Sequence, residues 1–348
     1  MTSRDRFLSG SGFHLPTAMT VAGSDSGGGA GIQADLKTFS AFGVFGTSAI
    51  TAVTAQNTLG VSRYQALEPS LVAEQITMVL DDIGAGAVKT GMLANQEIIE
   101  AVSEAFRSRG VTQLVVDPVM VSASGHRLLD EGASGALIEQ LIPLALVLTP
   151  NIPEAEALTG RTIRTLADMQ AAAEQLVAMG CRYAVVKGGH LDRIDLPPGV
   201  EFREVAPPVP QGYPWSAGAW LAEGALRPAP AVSGRFAVDV AFDGRSFTFF
   251  KSPFFDTRST HGTGCTFSAA IAAALALGYA PLDAIAEGKR FVTQAIQYAQ
   301  PLGRGHGPTN HLLRFAPSGP GKTGREHGRS RAGGGSVPGS EGAASYVG

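Results

Sequence analysis

The sequence predicts an α/β fold of three layers, in which a mostly parallel central sheet carries helices on both faces. Short apolar runs alternate with longer helical patterns, which is typical of βαβ units with right-handed crossovers. The runs are continuously apolar, as expected for strands that are covered on both faces. Polar residues follow several of these runs, and ligands of such sheets bind at the carboxyl ends of the strands.

Each element is predicted from its own pattern. Strands are predicted at the apolar runs 18–22, 48–55, 87–90, 113–116, 144–148 and 183–187. Helices are predicted at the longer periodic segments 30–42, 71–83, 95–109, 132–141, 165–179, 263–277 and 281–300. The alternating segment 236–251 turns at Asp243-Gly244, which is a hairpin signal.

The pattern favours one domain at 18–315, preceded by an N-terminal extension at 1–17. Within the domain, segment 191–234 is rich in Pro, Gly and Trp, and we expect a long surface insertion there, partly ordered around Trp215 and Trp220. Residues 316–348 contain Gly, Ser and Arg with almost no apolar side chains, which predicts a disordered tail.

The composition excludes several classes of protein. Of the 348 residues 44% are hydrophobic and 16% are charged, with a net charge of −3, so no basic surface for nucleic acid is expected. No apolar run is long enough for a membrane helix, and the N-terminus lacks the apolar core of a signal peptide. The two cysteines lie far apart. We therefore predict a cytoplasmic protein without membrane or nucleic-acid partners.

The most informative segment is 259–270, a glycine loop that leads into an alanine-rich helix. Gly262 and Gly264 allow backbone conformations that other residues avoid. Unpaired N–H groups in the first helical turn, together with the helix dipole, favour an anion. Cys265 lies in this turn, where we expect the pKa of its thiol to be lowered toward neutrality. The combination indicates phosphoryl transfer; the alternative is a helix N-terminus that caps itself.

A second glycine-rich strand-to-helix turn follows the first predicted strand, at 23–31. Lys89, Asp117, Asn151 and Lys187 lie at the ends of later strands. Because the carboxyl ends of parallel strands meet at one edge of the sheet, these residues are predicted to share one active site.

A series of ordered motifs resembles the hydroxymethylpyrimidine and phosphomethylpyrimidine kinases of thiamin biosynthesis, which belong to the ribokinase-like superfamily. The first motif is VAGSDSGGGAGIQADLKTF at 21–39. The others are TAQNT at 54–58, KTGML at 89–93, DPVM at 117–120, TPNIPE at 149–154, VKGGH at 186–190, THGTGCT at 260–266 and GPTNH at 307–311. The resemblance covers about residues 18–315. It implies a ribokinase-like fold and ATP-dependent phosphorylation of 4-amino-5-hydroxymethyl-2-methylpyrimidine and then of its monophosphate.

The resemblance also implies a pyrimidine site. Gln56, whose amide can both donate and accept hydrogen bonds, and Asp35 would bind the aminopyrimidine. Gly23 would let the ring approach the backbone, and Met92 and Val119 would lie on its two faces. Without the resemblance, Gln56 could cap a loop, Asp35 could be a solvent-facing carboxylate, and the two apolar residues could belong to the core.

Asp117, Asn151 and Glu154 are the candidate Mg²⁺ ligands, because Mg²⁺ prefers oxygen ligands, keeps several waters and bridges phosphates. We expect mostly water-mediated coordination, with Glu154 and Lys187 also binding ATP. The alternatives are helix caps, a turn aspartate and a surface lysine.

At the loop, the backbone N–H groups of Gly262, Thr263, Gly264 and Cys265 are expected to hold the transferring phosphoryl group. The Cys265 thiolate would assist as a base, since phosphoryl transfer depends mostly on positioning and charge neutralisation. The alternative is a buried, inert cysteine. His190 and His261 flank glycine loops and are interpreted as loop caps without a chemical role.

Two other functions remain open. Related members of this fold are pyridoxal kinases, which would not phosphorylate the pyrimidine monophosphate. A catalytically silent pyrimidine-binding protein would lack the anion loop or the metal carboxylates, and both are present here. The resemblance further suggests a homodimer.

Overall fold

The computed structural model describes residues 15–121, 125, 128–130, 132–189, 201–205 and 231–312. The strands are β1 Thr17–Ala22, β2 Phe45–Ile50, β3 Ala52–Asn57, β4 Gly60–Ala66, β5 Ala87–Thr90, β6 Leu114–Val116, β7 Val147–Leu148, β8 Tyr183–Val186, β9 Phe202–Glu204, β10 Ala231–Phe242 and β11 Phe247–Phe255. The helices are α1 Gly31–Ala41, α2 Pro69–Asp82, α3 Gln96–Ser108, α4 Ala133–Ala136, α5 Ile152–Thr159, α6 Leu166–Ala178, α7 Thr263–Ala276 and α8 Pro281–Gln297. None of the helices in these ranges is both long and apolar enough to cross a membrane.

The main sheet has nine strands in the order β2-β1-β5-β6-β7-β8-β10-β11-β9. Strands β2 to β8 in this order pair in parallel, and β10 joins β8 antiparallel and forms a hairpin with β11. Two apolar cores cover the two faces: α2 to α6 pack on one side, and α1, α7 and α8 pack on the other. The predicted three-layer, mostly parallel fold is confirmed.

Strand β6 shows why the strands read as continuously apolar. Leu114 and Val116 face the first core, whereas Val115 between them faces the second. Successive side chains of a strand point to opposite faces, so a sheet with two helical layers needs an apolar residue at every position.

The single strand predicted at 48–55 is wrong. The main-sheet strand β2 ends at Ile50, and β3 pairs antiparallel with β4 in a separate two-stranded sheet. Thr51 fixes the break: its N–H donates to Ala22 O (3.1 Å) and its hydroxyl donates to Met92 O (2.6 Å). About half of the residues of β4 are polar and exposed, so the sequence contains no apolar run that would predict this strand.

The predicted insertion 191–234 contributes to the sheet. Strand β9 lies within it and pairs in parallel with β11 at the sheet edge, and β10 already begins at Ala231. The loop-like composition of the segment gave no sign of this pairing, because backbone pairing at a sheet edge needs few apolar side chains; Arg203 and Glu204 of β9 are exposed. Trp215 and Trp220 lie outside the described residues, as do 1–14 and the predicted tail 316–348.

Two further boundaries differ from prediction. Only the first part of the helix predicted at 132–141 is α-helical, namely α4. It is followed by a π-helical segment at Leu137–Leu141 and a 3₁₀ turn at Ile142–Leu144. The following strand is correspondingly reduced to the two residues of β7. Pro143 lies in the 3₁₀ turn. Proline is tolerated in the first turn of a helix but not in its interior, so the α-helix cannot continue through this position.

Candidate active site

A cavity of about 730 Å³ opens at the carboxyl ends of the parallel strands. It collects almost all of the predicted site residues. Those that line it are Gly23, Gln56, Met92, Asp117, Val119, Asn151, Glu154, Lys187, Gly262, Thr263, Gly264 and Cys265. Asp35 does not line it.

Helix α7 begins directly after Gly262, which has a φ of 77°. A Cβ at this position would lie 1.8 Å from Gly29 O, so both the conformation and the contact require glycine. The Thr263 N–H donates to Thr260 O and the Thr266 N–H to Gly262 O. Within the described residues, the N–H groups of Gly264 and Cys265 have no partner, and they are available to an anion in the cavity.

The expected lowering of the Cys265 pKa is wrong for the ligand-free site. Burial is the largest effect and raises the pKa of the thiol to about 11, and the nearby carboxylates of Asp35 and Asp117 add to it. Lys89 and the Gly31 backbone act in the opposite direction but do not prevail. The first-turn position was visible in the sequence, whereas the surrounding burial and negative charge were not.

In the glycine loop at 23–31, the backbone N–H groups bind a carboxylate of the loop itself, that of Asp25. The Asp25 carboxylate accepts from the N–H groups of Gly27 (2.8 Å), Gly29 (3.0 Å) and Ala30 (2.8 Å). It also lies 2.9 Å from Nε2 of His261. Because these donors are occupied, this loop shapes the cavity wall and does not offer a second anion site.

Asp35 is fully buried behind the cavity wall. Its Oδ2 accepts from Lys89 Nζ (2.8 Å) and from the Thr20 hydroxyl (2.6 Å). Burial raises the pKa of Asp35 despite the adjacent Lys89. The other oxygen, Oδ1, is buried without a partner among the described residues. Lys89 itself lines the cavity and connects this pair to it.

A second cationic centre lies beside the anion loop. Lys187 Nζ lies 3.0 Å from Asp117 Oδ1 and 4.0 Å from Glu154 Oε2. Burial, the largest effect, and the charge of Asp117 raise the pKa of Glu154 to about 7, although Lys187 opposes them. A Cβ on Gly264 would lie 3.3 Å from Lys187 Nζ, so glycine keeps the loop close to this group.

Asn151 caps helix α5. Its Oδ1 accepts from the Glu154 N–H (2.9 Å), and Glu154 Oε2 accepts from the Asn151 N–H (2.7 Å), which completes a capping box. Asn151 and Glu154 therefore do cap the helix, as the alternative interpretation expected, and both also line the cavity.

The described residues contain no cluster of three His, Cys, Asp or Glu side chains that could hold a metal ion. Mg²⁺ is ordinarily bound by one or two carboxylates together with substrate phosphates and water. The carboxylates of Asp117 and Glu154, which converge on Lys187, fit this mode.

Several residues were missed as site components. Asp25 and His261 lie in recognised motifs, but no sequence signal showed that they touch. At the far end of the cavity, Lys289 and Asp239 form a buried ion pair of 2.8 Å, and Asp239 accepts from the Gly188 N–H. Their separation by fifty positions along the chain gave no indication of the pair.

Comparison with known proteins places these motifs in one family. The phosphomethylpyrimidine kinase family profile matches residues 25–198 and 229–310. The hydroxymethylpyrimidine/phosphomethylpyrimidine kinase of Bacillus subtilis is 42% identical over 85% of this chain and 94% of its own length. A thiamine biosynthesis bifunctional protein of Geobacter sulfurreducens is 45% identical over 86% of this chain, which spans 53% of that longer protein.

Solved structures agree on the fold. Bacillus subtilis pyridoxal kinase in complex with ADP superimposes with a TM-score of 0.69 and 35% identity, covering 86% of this chain and 99% of the kinase. A phosphomethylpyrimidine kinase from Clostridium difficile gives a TM-score of 0.62 and 39% identity, covering 80% of this chain and 99% of its own. The ribokinase-like resemblance is confirmed, and the chain belongs to the phosphomethylpyrimidine kinase family.

Proposed function

We propose that this protein transfers a phosphoryl group from ATP to 4-amino-5-hydroxymethyl-2-methylpyrimidine and then to its monophosphate, in thiamin diphosphate biosynthesis. One observation carries the proposal. Free N–H groups of the anion loop, the Lys187–Asp117 pair and the predicted pyrimidine-site residues Gly23, Gln56, Met92 and Val119 line the same cavity. The names of the relatives support the choice of substrate.

The nucleotide phosphates would lie between the anion loop and Lys187. The Gly264 and Cys265 N–H groups would bind the transferring phosphoryl oxygens, and the Lys187 ammonium would neutralise their charge. Asp117 and Glu154 would hold Mg²⁺, with Asn151 nearby, and the metal would supply charge neutralisation at the phosphates. The ion pair of Lys187 with Asp117 keeps both groups in place before the substrates arrive.

The pyrimidine would lie at the other end, against Gly23. A Cβ on Gly23 would come within 3.0 Å of Met92 Sδ, so a side chain there would take up ring space. Gln56 and Val119 line the same region. The resemblance assigns Asp35 to the amine, but its fully buried carboxylate does not line the cavity, so Lys89, which pairs with Asp35 and lines the cavity, is the member of this pair that can meet the substrate.

Cys265 would lie beside the reacting hydroxyl. Since its thiol carries a proton, Cys265 can act as a base only after losing that proton, and Lys89 together with bound Mg²⁺ would favour the thiolate when the substrates are present. The transition state of phosphoryl transfer is largely dissociative, so a thiolate that takes the hydroxyl proton late in the reaction, and thereby becomes a thiol, is sufficient.

Pyridoxal phosphorylation is the second candidate, because the structural neighbours include pyridoxal kinases from Bacillus subtilis and Staphylococcus aureus with TM-scores of 0.69. The catalytically silent binding protein has no specific observation in its favour.

A coupled ADP-release assay with MgATP tests the proposal with three acceptors: the pyrimidine alcohol, its monophosphate and pyridoxal. We expect turnover of both pyrimidines. Turnover of pyridoxal alone would move the assignment to vitamin B6 salvage, and no turnover would leave a binding protein.

A homodimer and a cytoplasmic location remain predictions. Light scattering coupled to size-exclusion chromatography measures the first, and a monomer mass would contradict it.

A further inference from the structure

His261 lies between the two glycine loops and touches both an acid and an amide. Its Nε2 is 2.9 Å from Asp25 Oδ2 and 3.3 Å from Gln56 Nε2. The ring also packs on Gly29, where a Cβ would lie 2.6 Å from its Cδ2. His261 and Gln56 belong to segments 205 positions apart, and all three polar side chains line the cavity.

The surroundings of Asp25 determine which nitrogen of His261 carries a proton. Asp25 is 2% exposed, and its carboxylate receives three backbone N–H groups in addition to the imidazole. Burial alone would raise the pKa of Asp25, but His261 and these backbone donors outweigh it and lower the pKa. An ionised carboxylate can only accept, so the proton of the 2.9 Å contact must lie on His261 Nε2.

This proton determines the orientation of the Gln56 amide. A protonated Nε2 cannot accept from the amide NH₂ group, and two donors facing each other at 3.3 Å would repel. The two orientations of an amide have almost the same shape, so the hydrogen-bond network decides between them. With Oε1 turned to the imidazole, the NH₂ group takes the opposite position, where the described residues provide no partner.

We propose that Asp25 and His261 are positioning residues, which lock the Gln56 amide so that its NH₂ group donates to a ring nitrogen of the acceptor substrate. This inference rests on the proposed function, because it concerns the same pyrimidine site. His261 belongs to the loop that begins α7, and its N–H donates to Gly307 O. The residue that orients the Gln56 amide therefore belongs to the same segment as the phosphoryl-binding loop.

Four variants and a double variant test the proposal, with kcat/KM for the pyrimidine alcohol and KM for ATP as readouts. His261→Leu removes the donor and should lower kcat/KM about tenfold, whereas His261→Gln keeps an N–H at similar reach and should stay within about threefold of wild type. The KM for ATP should stay within about twofold in both.

Lys37→Met is the matched control, since Lys37 donates to Gly28 O from outside the loop and touches neither His261 nor Gln56.

A double-mutant cycle links the effect to Gln56. If His261 acts through this amide, His261→Leu should have almost no further effect on kcat/KM in a Gln56→Ala background. Full additivity would overturn the inference, as would an equal loss in His261→Leu and His261→Gln. A wild-type level of activity in Gln56→Ala would overturn the role of Gln56 itself.

Gln56→Glu gives an independent readout that does not depend on how the His261 variants fold. A carboxylate offers only acceptors, so this variant should be at least as impaired as Gln56→Ala. Activity near wild type in Gln56→Glu would show that no NH₂ donor is needed and would overturn the inference. Absence of pyrimidine turnover in the wild-type protein would instead refute the proposed function.

Discussion

Cys265 combines a first-turn position with surroundings that oppose ionisation. A helix N-terminus favours a thiolate, but burial and the carboxylates of Asp35 and Asp117 dominate in the ligand-free cavity. Bound phosphate charge alone would oppose the thiolate further, whereas Lys89 and a bound Mg²⁺ would favour it. A thiol that already carries a proton cannot accept the proton of the acceptor hydroxyl, so Cys265 can serve as the base only if it is ionised once both substrates are bound.

Cys265→Ala should lower kcat about 100-fold, a typical contribution of a positioned acid or base, while the KM for ATP stays within about threefold. The N–H groups of the loop remain in this variant, so nucleotide binding should survive. Steady-state kinetics with the pyrimidine alcohol measure both constants. An unchanged kcat would refute the base role and leave the anion-binding role intact.

Glu154 makes the stability of the ligand-free protein depend on pH. Its pKa is about 7 in the folded protein, above the ordinary value of 4.5 for a glutamate carboxyl. A raised pKa means that the folded state binds the proton more tightly, so this contribution is complete below about pH 4.5 and is lost as the pH rises to about 7.

Glu154→Gln keeps the cap on the Asn151 N–H but removes the titration. Relative to wild type, this variant should gain on the order of 3 kcal/mol of unfolding free energy between pH 4.5 and pH 8. Urea denaturation without metal or nucleotide measures the difference at each pH. A difference that does not change with pH would contradict the raised pKa.

At the scale of elements, the two glycine loops interlock. Gly262 precedes α7 and contacts Gly29 O of the loop before α1, so the two helix N-termini can approach only because both positions lack a Cβ. The cavity wall thus depends on a backbone contact that no side chain could replace.

Gly262→Ala tests this contact against Gly278→Ala. Both glycines have positive φ, 77° and 85°, but Gly278 has nothing within 4 Å of a Cβ. Gly278→Ala should therefore cost only about 1 kcal/mol of backbone strain and keep full activity. Gly262→Ala should lose activity more than tenfold, since the loops must move apart. Thermal unfolding and the ADP-release assay separate strain from displacement, and equal effects of the two substitutions would argue against interlocking.

At the scale of the whole molecule, the segment 307–311 closes the fold around the anion loop. The Thr309 N–H donates to His261 O, and the Asn310 N–H donates to Ala295 O on α8. The His311 ring contacts the Thr266 hydroxyl (2.8 Å), and burial lowers the pKa of His311 to about 4. The neutral imidazole is therefore hydrogen-bonded to the Thr266 hydroxyl, which itself donates to Gly262 O (2.8 Å) at the start of α7.

A chain that ends after Phe315 should keep kcat/KM within about twofold and an unchanged melting temperature, because the removed residues are polar and rich in Gly. A chain that ends after Gly305 loses the contacts to His261 and Thr266, and its melting temperature should fall by about 4 °C or more with loss of activity. Differential scanning fluorimetry of the two truncations measures this. Equal stability would show that the segment is dispensable.

Sequence reasoning predicted elements and motif residues well where the cause is local. Parallel strands such as β1 and β5 follow from continuous apolar runs, and α7 follows from a glycine loop before an alanine-rich segment. It failed for β4, a half-polar strand that pairs with its chain neighbour β3, and for β9, whose polar residues pair with the more distant β11. The stabilisation that a strand gains from backbone pairing does not depend on its own apolar pattern, so that pattern does not predict it.

The sequence by itself determined the family, the alternation of strands and helices that builds the parallel sheet, and a set of site residues that nearly all line the cavity, because motif spacing and apolar periodicity are properties of the chain. Only the tertiary structure decided that Asp35 pairs with Lys89 behind the wall, that Asp25 occupies its own loop, and that Cys265 is held as a thiol. These are consequences of burial and of charges brought together from distant segments, since desolvation and Coulomb interactions depend on distance in space.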